Sequence, residues 1–348
     1  MNDINKVINN PLYLPAGWFN AAACIDDQSA DIFLIAGGRG IGKTYGFIKE
    51  FIERKILFVL MRRTEVEASL QLTEDTSSLF PVLRDMGLDE ANGHVITFRK
   101  VGKGKITFVY LDGEEICCII ALSTSTILRG VDLERYTAVL FDEFIPEPHI
   151  RTIPKEGLAF NNAIETIGRN RELKGLPPLR VYCIGNSFNI ANPIFIYEDM
   201  VSPAEQLLMN GQEVYRRENK CLILCQYSPI SKLKEGTSLY KDVSKEFKDI
   251  ALGNKFHLND FTNIARRNIK QFRILCKAGD IYIYKHKSDR EWYITFTPAE
   301  TKEIYKNTVA DLTRFRRKHH RLYIAYLDGH VKFEKYECLA LFEQYYKM

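Results

Sequence analysis

Residues 37–44 have the types and spacing of a phosphate-binding loop. They read Gly-Gly-Arg-Gly-Ile-Gly-Lys-Thr and match the pattern GxxxxGK[ST] in full. The glycines let successive backbone N–H groups face phosphate oxygens, and the N-terminus of a following helix adds a favourable dipole. Lys43 then neutralises phosphate charge, and the Thr44 hydroxyl ligates Mg²⁺. The sequence therefore predicts a nucleoside triphosphate site formed by Gly37, Gly38, Arg39, Gly40, Ile41, Gly42, Lys43 and Thr44.

Arg39 is unusual inside such a loop, where most examples have a small or neutral residue. Two interpretations are open for its guanidinium: contact with the γ-phosphate of the same subunit, or exposure to solvent. The sequence does not decide between them.

A pair of adjacent carboxylates, Asp142 and Glu143, follows the apolar run at 138–141. Beside a phosphate-binding loop this is the Walker B arrangement, in which Asp142 holds Mg²⁺ and Glu143 polarises the attacking water. Small-molecule kinases must exclude water and generally lack a base at this place, whereas motor-type ATPases have one. ATP hydrolysis coupled to movement is the favoured chemistry, and two solvated acids at a strand end are the alternative.

The elements that must position these groups form an alternating pattern. Apolar, β-rich runs alternate with helical patterns through the first 200 residues, which predicts βαβ units around a mostly parallel sheet. A strand-rich insert at 94–122 contains two hairpin turns. The predicted core strands are Ile32–Ala36, Leu57–Met61, Ala138–Phe141 and Val181–Ile184, and the predicted helices are Thr44–Arg54 and Ala159–Arg171.

The charge distribution divides the chain into two parts. Of the 348 residues, 46% are hydrophobic and 26% are charged, which excludes disorder as the main state. The net charge of +4 combines −5 over residues 1–230 with +9 over residues 231–348. We expect an α/β domain at 1–200, a linker subdomain at 201–233, and a basic α+β domain at 234–348 with hairpins at 280–296 and 322–336.

The cysteines and the hydropathy indicate an intracellular protein. All eight cysteines are scattered, mostly in apolar runs, so buried reduced thiols are expected. Cys221 and Cys225 stand four apart, but no second Cys/His pair has zinc-site spacing. No apolar stretch approaches the roughly 18 residues of a membrane span, and no secretory leader is evident.

These segments together resemble the DNA-packaging ATPases of phi29-type tailed phages, which are compact relatives of large terminases. The resemblance is densest over residues 30–200 and rests on the runs GGRGIGKT, FVLMRR, LFDEF, GRNRE and CIGNSFNIANPIF. It implies a homopentameric ring motor of the additional-strand (ASCE) P-loop class that pumps double-stranded viral DNA into a prohead through its portal. Such a motor works in the host cytoplasm, docks transiently on the prohead beside a structural RNA, and is absent from the mature virion.

The resemblance also implies roles for individual residues. Arg169, with Arg171 close by, corresponds to an arginine that acts on the neighbouring subunit, and Arg129 corresponds to a second basic position acting in trans. Asn186 corresponds to a residue that restrains the catalytic glutamate until DNA is engaged. Arg62 and Arg63 correspond to a lid region near the nucleotide base. Taken alone, Arg129, Arg169 and Arg171 are better explained as solvated surface residues.

For the C-terminal domain, the resemblance implies a ribonuclease H-like fold. A nuclease site needs several carboxylates that converge on two metal ions. The acids of this domain fall mostly in turns or beside basic residues, so we expect a catalytically degenerate fold used for binding.

A strongly basic stretch at 314–321 is the candidate for contact with a polyanion. Its cations are Arg314, Arg316, Arg317, Lys318 and Arg321. Phosphate contacts without sequence readout are one interpretation, and a solvated helix face is the other. DNA, the structural RNA and the portal all remain possible partners.

Three functions compete at this stage. An ATP-driven DNA translocase is favoured, and a helicase or other ring NTPase acting on nucleic acid is second, although further helicase motifs are not evident. A nucleotide-dependent scaffold is third, because an intact set of Lys43, Thr44, Asp142 and Glu143 argues for turnover.

Overall fold

A computed structural model describes residues 11–147, 150, 153–186, 190–238 and 263–347 of the chain. The chain separates into two compact units, Met1–His257 and Leu258–Met348. Each unit is described by itself.

The N-terminal unit is built on a mixed sheet. Its described strands have the order β3-β4-β5-β2-β6-β7-β1-β9-β8, in which the six from β5 to β9 are parallel and the outer pairs are antiparallel. The strands are β1 Ile32–Gly37, β2 Phe58–Arg62, β3 Ile96–Val101, β4 Ile106–Leu111, β5 Glu114–Ala121, β6 Ala138–Asp142, β7 Arg180–Asn186, β8 Val214–Arg217 and β9 Lys220–Cys225.

Helices cover both faces of this sheet region in the chain order expected for βαβ units. The helices are α1 Ala21–Asp26, α2 Lys43–Glu53, α3 Glu65–Ser69, α4 Leu79–Asp85, α5 Glu156–Gly168, α6 Pro193–Tyr197, α7 Val201–Asn210 and α8 Pro229–Glu235, with a 3-10 segment at Leu122–Gly130. Strands β2 and β6 are buried throughout, because a central parallel strand is covered on both faces. This burial explains why these strands are continuous apolar runs and could be predicted from the sequence.

The strand order places the chemistry of the sequence at one edge. Strand β7 lies between β1, which leads into the phosphate-binding loop, and β6, which ends in Asp142. The predicted P-loop sheet with an additional strand between these two is therefore present. Because β1, β6 and β7 are parallel, their carboxyl ends meet at the edge where ligands of open α/β sheets bind.

The segment 201–233, expected to be a linker subdomain, belongs to this sheet instead. Strand β9 pairs along its whole length with β1, with Cys225 opposite Gly37, and β8 pairs with β9. The run at 220–225 is apolar because it is a core strand beside the phosphate-binding loop. The division between the two units accordingly falls after His257 rather than at 233–234.

The C-terminal unit is a smaller α/β unit with its own sheet. The strand order is β13-β10-β11-β12-β14 in the part the structure describes, with β10–β11 and β11–β12 antiparallel and the two outer pairs parallel. The elements are β10 Phe272–Ala278, β11 Ile281–His286, β12 Trp292–Thr295, β13 Ile304–Tyr305, α9 Val309–Lys318, α10 His320–Leu327, β14 Val331–Phe333 and α11 Tyr336–Lys347.

Of the two hairpins expected in this unit, one is present. Strands β11 and β12 form the hairpin predicted at 280–296. The hairpin predicted at 322–336 is wrong, because its first half is helix α10, and β14 then pairs in parallel with β12. Packing of Tyr326 on Phe342 of α11, with ring centroids 5.2 Å apart, favours the helix over the strand.

All eight cysteines are buried and free of disulfides, as expected. Among the described residues, no helix has the length and apolar character needed to cross a membrane.

Candidate nucleotide site

The phosphate-binding loop runs from the end of β1 into α2 and is held closely on both sides. Gly40 and Gly42 have φ of +67° and +90°, values that disfavour any residue with a Cβ. A Cβ on Gly37 would stand 2.6 Å from the Cβ of Cys225, and one on Gly42 would stand 3.3 Å from the Trp18 ring. These contacts explain why glycine is needed at these positions.

Helix α2 is fixed to the sheet by aromatic packing. The ring of Phe47 lies 4.8 Å from the ring of Tyr182 on β7, and Phe51 lies 4.9 Å from Phe58 on β2. Because both rings belong to the buried face of α2, they set the direction in which the helix N-terminus points. The N-terminus consequently points at the loop and is placed for an anion.

Lys43 is buried and lies inside the loop. Its ammonium donates to the carbonyls of Gly37 and Gly38 at 3.0 and 2.9 Å. Burial lowers its pKa to about 8, while the charge of Asp142 opposes that shift. A lysine so placed is held ready to neutralise phosphate, and its own charge is sensitive to pH near 8.

Thr44 and Asp142 meet across the cleft, as the Walker motifs require. The Thr44 hydroxyl donates to Asp142 Oδ1 at 3.0 Å, although 98 residues separate the two in sequence. A hydroxyl and a carboxylate are the hard oxygen donors that Mg²⁺ prefers. These two side chains fit an Mg²⁺ site together.

Glu143 stands next to them in a strained conformation. Its φ is +57°, in the left-handed region that a glutamate rarely adopts. The turn directs its carboxylate back to the cleft rather than along the strand. Partial burial raises the pKa of Glu143, and the positive charge of Arg62 opposes that shift. A raised pKa suits a carboxylate that must accept a proton near neutral pH.

The cleft between the loop and the strand ends has a volume of about 260 Å³. It is lined by Arg39, Gly40, Gly42, Lys43, Thr44, Tyr45, Asp142, Glu143, Gly185 and Asn186. The structure thus brings together the phosphate-binding loop, both acids and Asn186, which lies opposite Gly37 on the adjacent strand. Exposed Arg39 also lines this cleft, on the same side as Glu143.

Arg62 lies beside the two acids, Asp142 and Glu143. Its guanidinium donates to Asp142 Oδ2 at 2.5 Å and also bonds to Glu143 Oε2, so it bridges the two acids. Arg62 is almost fully buried and lies at the end of β2, the neighbour of β6. The structure thus shows Arg62 bonded to the acid pair, and its contact near the nucleotide base stays a prediction.

Arg63 is a structural residue. It is 1% exposed, and its guanidinium donates to both carboxylate oxygens of Glu156, at 2.6 and 3.0 Å. Glu156 is itself buried at the start of α5 and accepts the backbone N–H of Ile153. The buried pair fixes the N-terminal end of α5 and does not line the cleft.

Arg129, Arg169 and Arg171 do not line the cleft, and they differ from one another. Helix α5 ends at Gly168, so Arg169 and Arg171 follow the helix instead of lying within it. Arg169 is part-exposed and donates to the carbonyls of Val131 and Arg129, at 2.5 and 3.4 Å. Arg129 itself is exposed, so these two arginines form one accessible group.

Arg171 has a buried, structural position. Its guanidinium donates to the carbonyl of Pro177 at 3.0 Å and also to that of Glu134. With 6% exposure it anchors the turn before β6. The expected role beside Arg169 on a neighbouring subunit is therefore corrected for this residue.

Two contacts of the loop were not found by sequence reasoning. Lys234 of α8 donates to the carbonyls of Arg39 and Gly40, both at 2.8 Å, and Trp18 lies against Gly42. A lysine in an ordinary helical pattern gives no signal of such a contact. An aromatic residue before β1 is equally uninformative without the fold.

The basic stretch of the C-terminal unit separates into engaged and available cations. Arg316 donates to the Tyr345 carbonyl at 3.1 Å, Arg314 pairs with Asp311, and Lys318 pairs with Glu303. Arg317 and Arg321 are exposed and form no ion pair among the described residues. The stretch is also not one helix, since α9 ends and α10 begins at buried His319. Only part of it is thus available to a polyanion.

The acids of this unit serve local contacts. Glu291 pairs with Arg267 at 2.7 Å, Asp311 Oδ2 accepts the backbone N–H of Lys306 at 2.9 Å, and Glu334 accepts the backbone N–H of Phe296 at 3.3 Å. Glu303 accepts from Lys318, Tyr305 and His319, and these bonds lower its pKa to about 2 against the opposing effect of burial. Each of these four carboxylates thus has a local structural partner.

The fold and the site define the class of this protein: an α/β protein with the sheet and loop of P-loop NTPases and two adjacent carboxylates at the end of β6. Within that class, the sequence pattern of the podovirus DNA encapsidation protein (Gp16) matches residues 18–348. The chain belongs to this family of phage DNA-packaging proteins, which confirms the resemblance inferred from its motifs.

Individual relatives agree with this assignment. A DNA packaging protein of Bacillus phage B103 is 24% identical over 331 residues, covering 86% of this chain and 91% of the relative. The phi-28 gp11 DNA packaging motor has a similar fold, with a TM-score of 0.61, 20% identity, and coverage of 94% of this chain and 96% of that one. The phi-29 viral genome packaging motor assembly gives a TM-score of 0.59 at 18% identity, and the match covers 96% of this chain and 99% of that one.

Proposed function

We propose that this protein hydrolyses ATP and uses the energy to move double-stranded viral DNA into a preformed prohead. The observation that carries the proposal is the meeting of Thr44, Lys43, Asp142 and Glu143 at one cleft. Those are the groups needed to hold a Mg²⁺-bound triphosphate and to activate water. Membership of the DNA encapsidation family supports viral DNA as the cargo of that chemistry.

Each residue has a distinct task in this proposal. The backbone N–H groups of 37–44 hold the phosphates, and Lys43 leaves the loop carbonyls to neutralise them. Thr44 and Asp142 hold Mg²⁺, which supplies charge stabilisation at the phosphates when bound. Glu143 accepts a proton from the attacking water, and Asn186 lies at the cleft to restrain that glutamate. Arg39 supplies positive charge to the γ-phosphate within the same subunit.

Completion of the site by a neighbouring subunit is part of the proposal. Arg169 and Arg129 form an accessible group that does not line the cleft of their own chain. An arginine that stabilises transition-state charge in trans must be free to reach another copy. We therefore propose a ring, homopentameric as in the family resemblance, in which this pair acts on the next subunit.

The C-terminal unit is proposed to bind the other components of the packaging machine. Residues 258–348 hold 18 Lys and Arg against 11 Asp and Glu, a net charge of +7, and Arg317 and Arg321 are accessible for phosphate contacts. Packaging must handle every sequence in a genome, so contacts that ignore sequence are suitable. The unit remains proposed as a ribonuclease H-like fold without nuclease activity, which docks on DNA, a structural RNA or the portal. The protein would act in the host cytoplasm, bound transiently to the prohead.

The experiment that tests the function is ATP-dependent uptake of DNA into purified proheads that carry their portal. Protection of the DNA from added nuclease measures uptake, and Glu143→Gln protein is the matched control, which binds ATP without turnover. Uptake by the wild type alone supports the proposal. DNA-stimulated hydrolysis with strand separation but no uptake would favour the helicase-like alternative, and binding without hydrolysis would favour a scaffold.

A further inference from the structure

Four consecutive carbonyls of the phosphate-binding loop accept hydrogen bonds from two lysines. Lys43 donates to the carbonyls of Gly37 and Gly38, and Lys234 donates to those of Arg39 and Gly40. Hydrogen bonds from an ammonium to a carbonyl are stronger than those between neutral groups. The backbone of residues 37–40 is thus fixed by two charges, of which only the first belongs to the phosphate-binding motif.

Helix α8 holds Lys234 in place. Its residues Ile230 and Ser231 are buried, and Pro229 lies where a Cβ on Gly17 would be 2.9 Å away. The chain around Gly17 leads directly to Trp18, which packs on Gly42 of the same loop. Since the first turn of α8 is buried against this segment, the Lys234 side chain has a fixed base from which to reach the loop.

The absence of a side chain at Gly40 leaves room for the Lys234 ammonium. A Cβ at that position would stand 2.4 Å from Lys234 Nζ, so a larger residue would displace the ammonium. Burial lowers the pKa of Lys234, and the Lys234 charge in turn lowers the pKa of Lys43. The two ammoniums therefore repel each other across the loop, and an anion bound there relieves the repulsion.

We propose that Lys234 is a positioning residue of the nucleotide site, and that it couples the state of the loop to α8. It fixes the peptide planes that join Arg39 to Gly40 and Gly40 to Ile41, so that the N–H groups of Gly40 and Ile41 face the phosphates before binding. When Lys43 moves to the phosphates, Lys234 keeps its half of the loop in place, and any movement of residues 39–40 is transmitted to α8. The inference rests on the proposed nucleotide binding.

Binding of Mg²⁺-ADP carrying a fluorescent ribose label tests the positioning role in the full-length protein. We expect Lys234→Ala to weaken binding about tenfold, because the loop must then be ordered during binding. Lys234→Arg should recover most of the affinity, since its fork also reaches both carbonyls. Lys49→Ala removes a partly exposed lysine that pairs with Glu53 in the part of the chain that the structure describes; it is the matched control and should bind as the wild type does.

Hydrogen exchange at the backbone amides of residues 230–235 of α8 tests the coupling. Saturating Mg²⁺-ADP should slow exchange of these amides in the wild type and in Lys49→Ala, but not in Lys234→Ala at equal site occupancy. Wild-type affinity and wild-type exchange in Lys234→Ala would overturn the inference while the proposed function stands. A lower melting temperature with unchanged affinity would also overturn it, since that is a merely structural role. Failure of the wild type to bind nucleotide would overturn both.

Discussion

Arg62 bonds to both Asp142 and Glu143, and so joins the two acids of the Walker B strand through one buried guanidinium. The three groups come from adjacent strands, β2 and β6, whose register brings residue 62 beside the end of β6. A single positive charge between two carboxylates removes much of their mutual repulsion. It therefore helps to position Glu143 and opposes the rise in the pKa of that carboxylate that burial causes.

Removal of this bridge should reduce turnover and shift its pH dependence. In Arg62→Ala we expect kcat at neutral pH to fall about tenfold or more, because the proposed base is displaced. Its pKa should rise further without the nearby cation, so the acidic limb of the kcat profile should move to higher pH. Steady-state ATPase rates between pH 5.5 and pH 9 measure both effects.

The control for that variant is an arginine on the surface of the same unit. Arg84 and its partner Glu74 are each 59% exposed at 3.8 Å, so Arg84→Ala should leave the profile unchanged. An Arg62→Ala profile that overlays the wild type would show that the bridge does not act on Glu143.

Replacement of Arg63, the next residue, should reduce stability rather than turnover. Arg63→Ala leaves the carboxylate of Glu156 buried and unpaired, and breaking such a pair costs about 3–5 kcal/mol. We expect a clearly lower melting temperature, with kcat per folded molecule little changed. The double variant Arg63→Met with Glu156→Leu should recover most of the stability, because no buried charge remains. A selective loss of kcat without a loss of stability would contradict the assignment.

The contrast between these two arginines shows where sequence reasoning stops. The strand FVLMR was predicted within one residue of its observed bounds, since a run buried on both faces has an unmistakable composition. Arg62 ends that strand and Arg63 follows it, and nothing in the local sequence distinguishes their roles. Their roles depend on Asp142 and Glu156, which are 80 and 93 residues away in sequence. Ion pairs between residues so far apart in sequence form only once the sheet is assembled.

In the C-terminal unit, distant contacts also decided a structure that the local sequence did not predict. The run LYIAYL is rich in β-branched and aromatic residues and so predicted a strand, yet it forms α10. Tyr326 packs on Phe342 and its hydroxyl donates to Glu343 at 2.5 Å, both contacts with a helix that follows later in the chain. Tertiary packing decided between two local structures that the sequence allowed. The motif residues 37–44 were predictable because their chemistry is entirely local.

Mixed rings should distinguish Arg169 from Arg171. Subunits with Arg169→Ala should regain ATPase activity when mixed with Lys43→Ala subunits, because each supplies the group that the other lacks. Arg171→Ala should instead lower the melting temperature, since its buried guanidinium ties the carbonyl of Glu134, before β6, to that of Pro177, before β7. Activity is measured across mixing ratios at constant total protein. No activity above the sum of the separate variants, at any ratio, would count against action in trans.

Nucleotide affinity should fall as the pH rises above 8. The pKa of Lys43 is about 8 in the free site, and a bound phosphate raises it, so binding above pH 8 requires uptake of a proton. The terminal phosphate loses its last proton with a pKa of about 6, so it is already fully ionised in this range. The dissociation constant for Mg²⁺-ADP should therefore rise towards about tenfold per pH unit between pH 8 and pH 9.5.

Two variants separate this effect from other titrating groups. Lys234→Arg should retain the slope, because it replaces the second nearby lysine with a cation that does not titrate. Glu143→Gln should retain it as well. An affinity that is flat across this range would show that Lys43 remains charged in the free site.

Contact of the basic stretch with a polyanion should depend on two arginines and not on their neighbour. Arg317 and Arg321 are exposed, whereas Arg316 is engaged with the Tyr345 carbonyl. In the full-length protein, Arg317→Ala with Arg321→Ala should weaken binding of duplex DNA and lower the slope of log K against log salt by about two. Arg316→Ala should change stability more than that slope. Titrations at several salt concentrations, repeated with structured RNA, measure the effect for each partner. If the double variant keeps the wild-type slope with both nucleic acids, the exposed cations of this stretch contact protein instead.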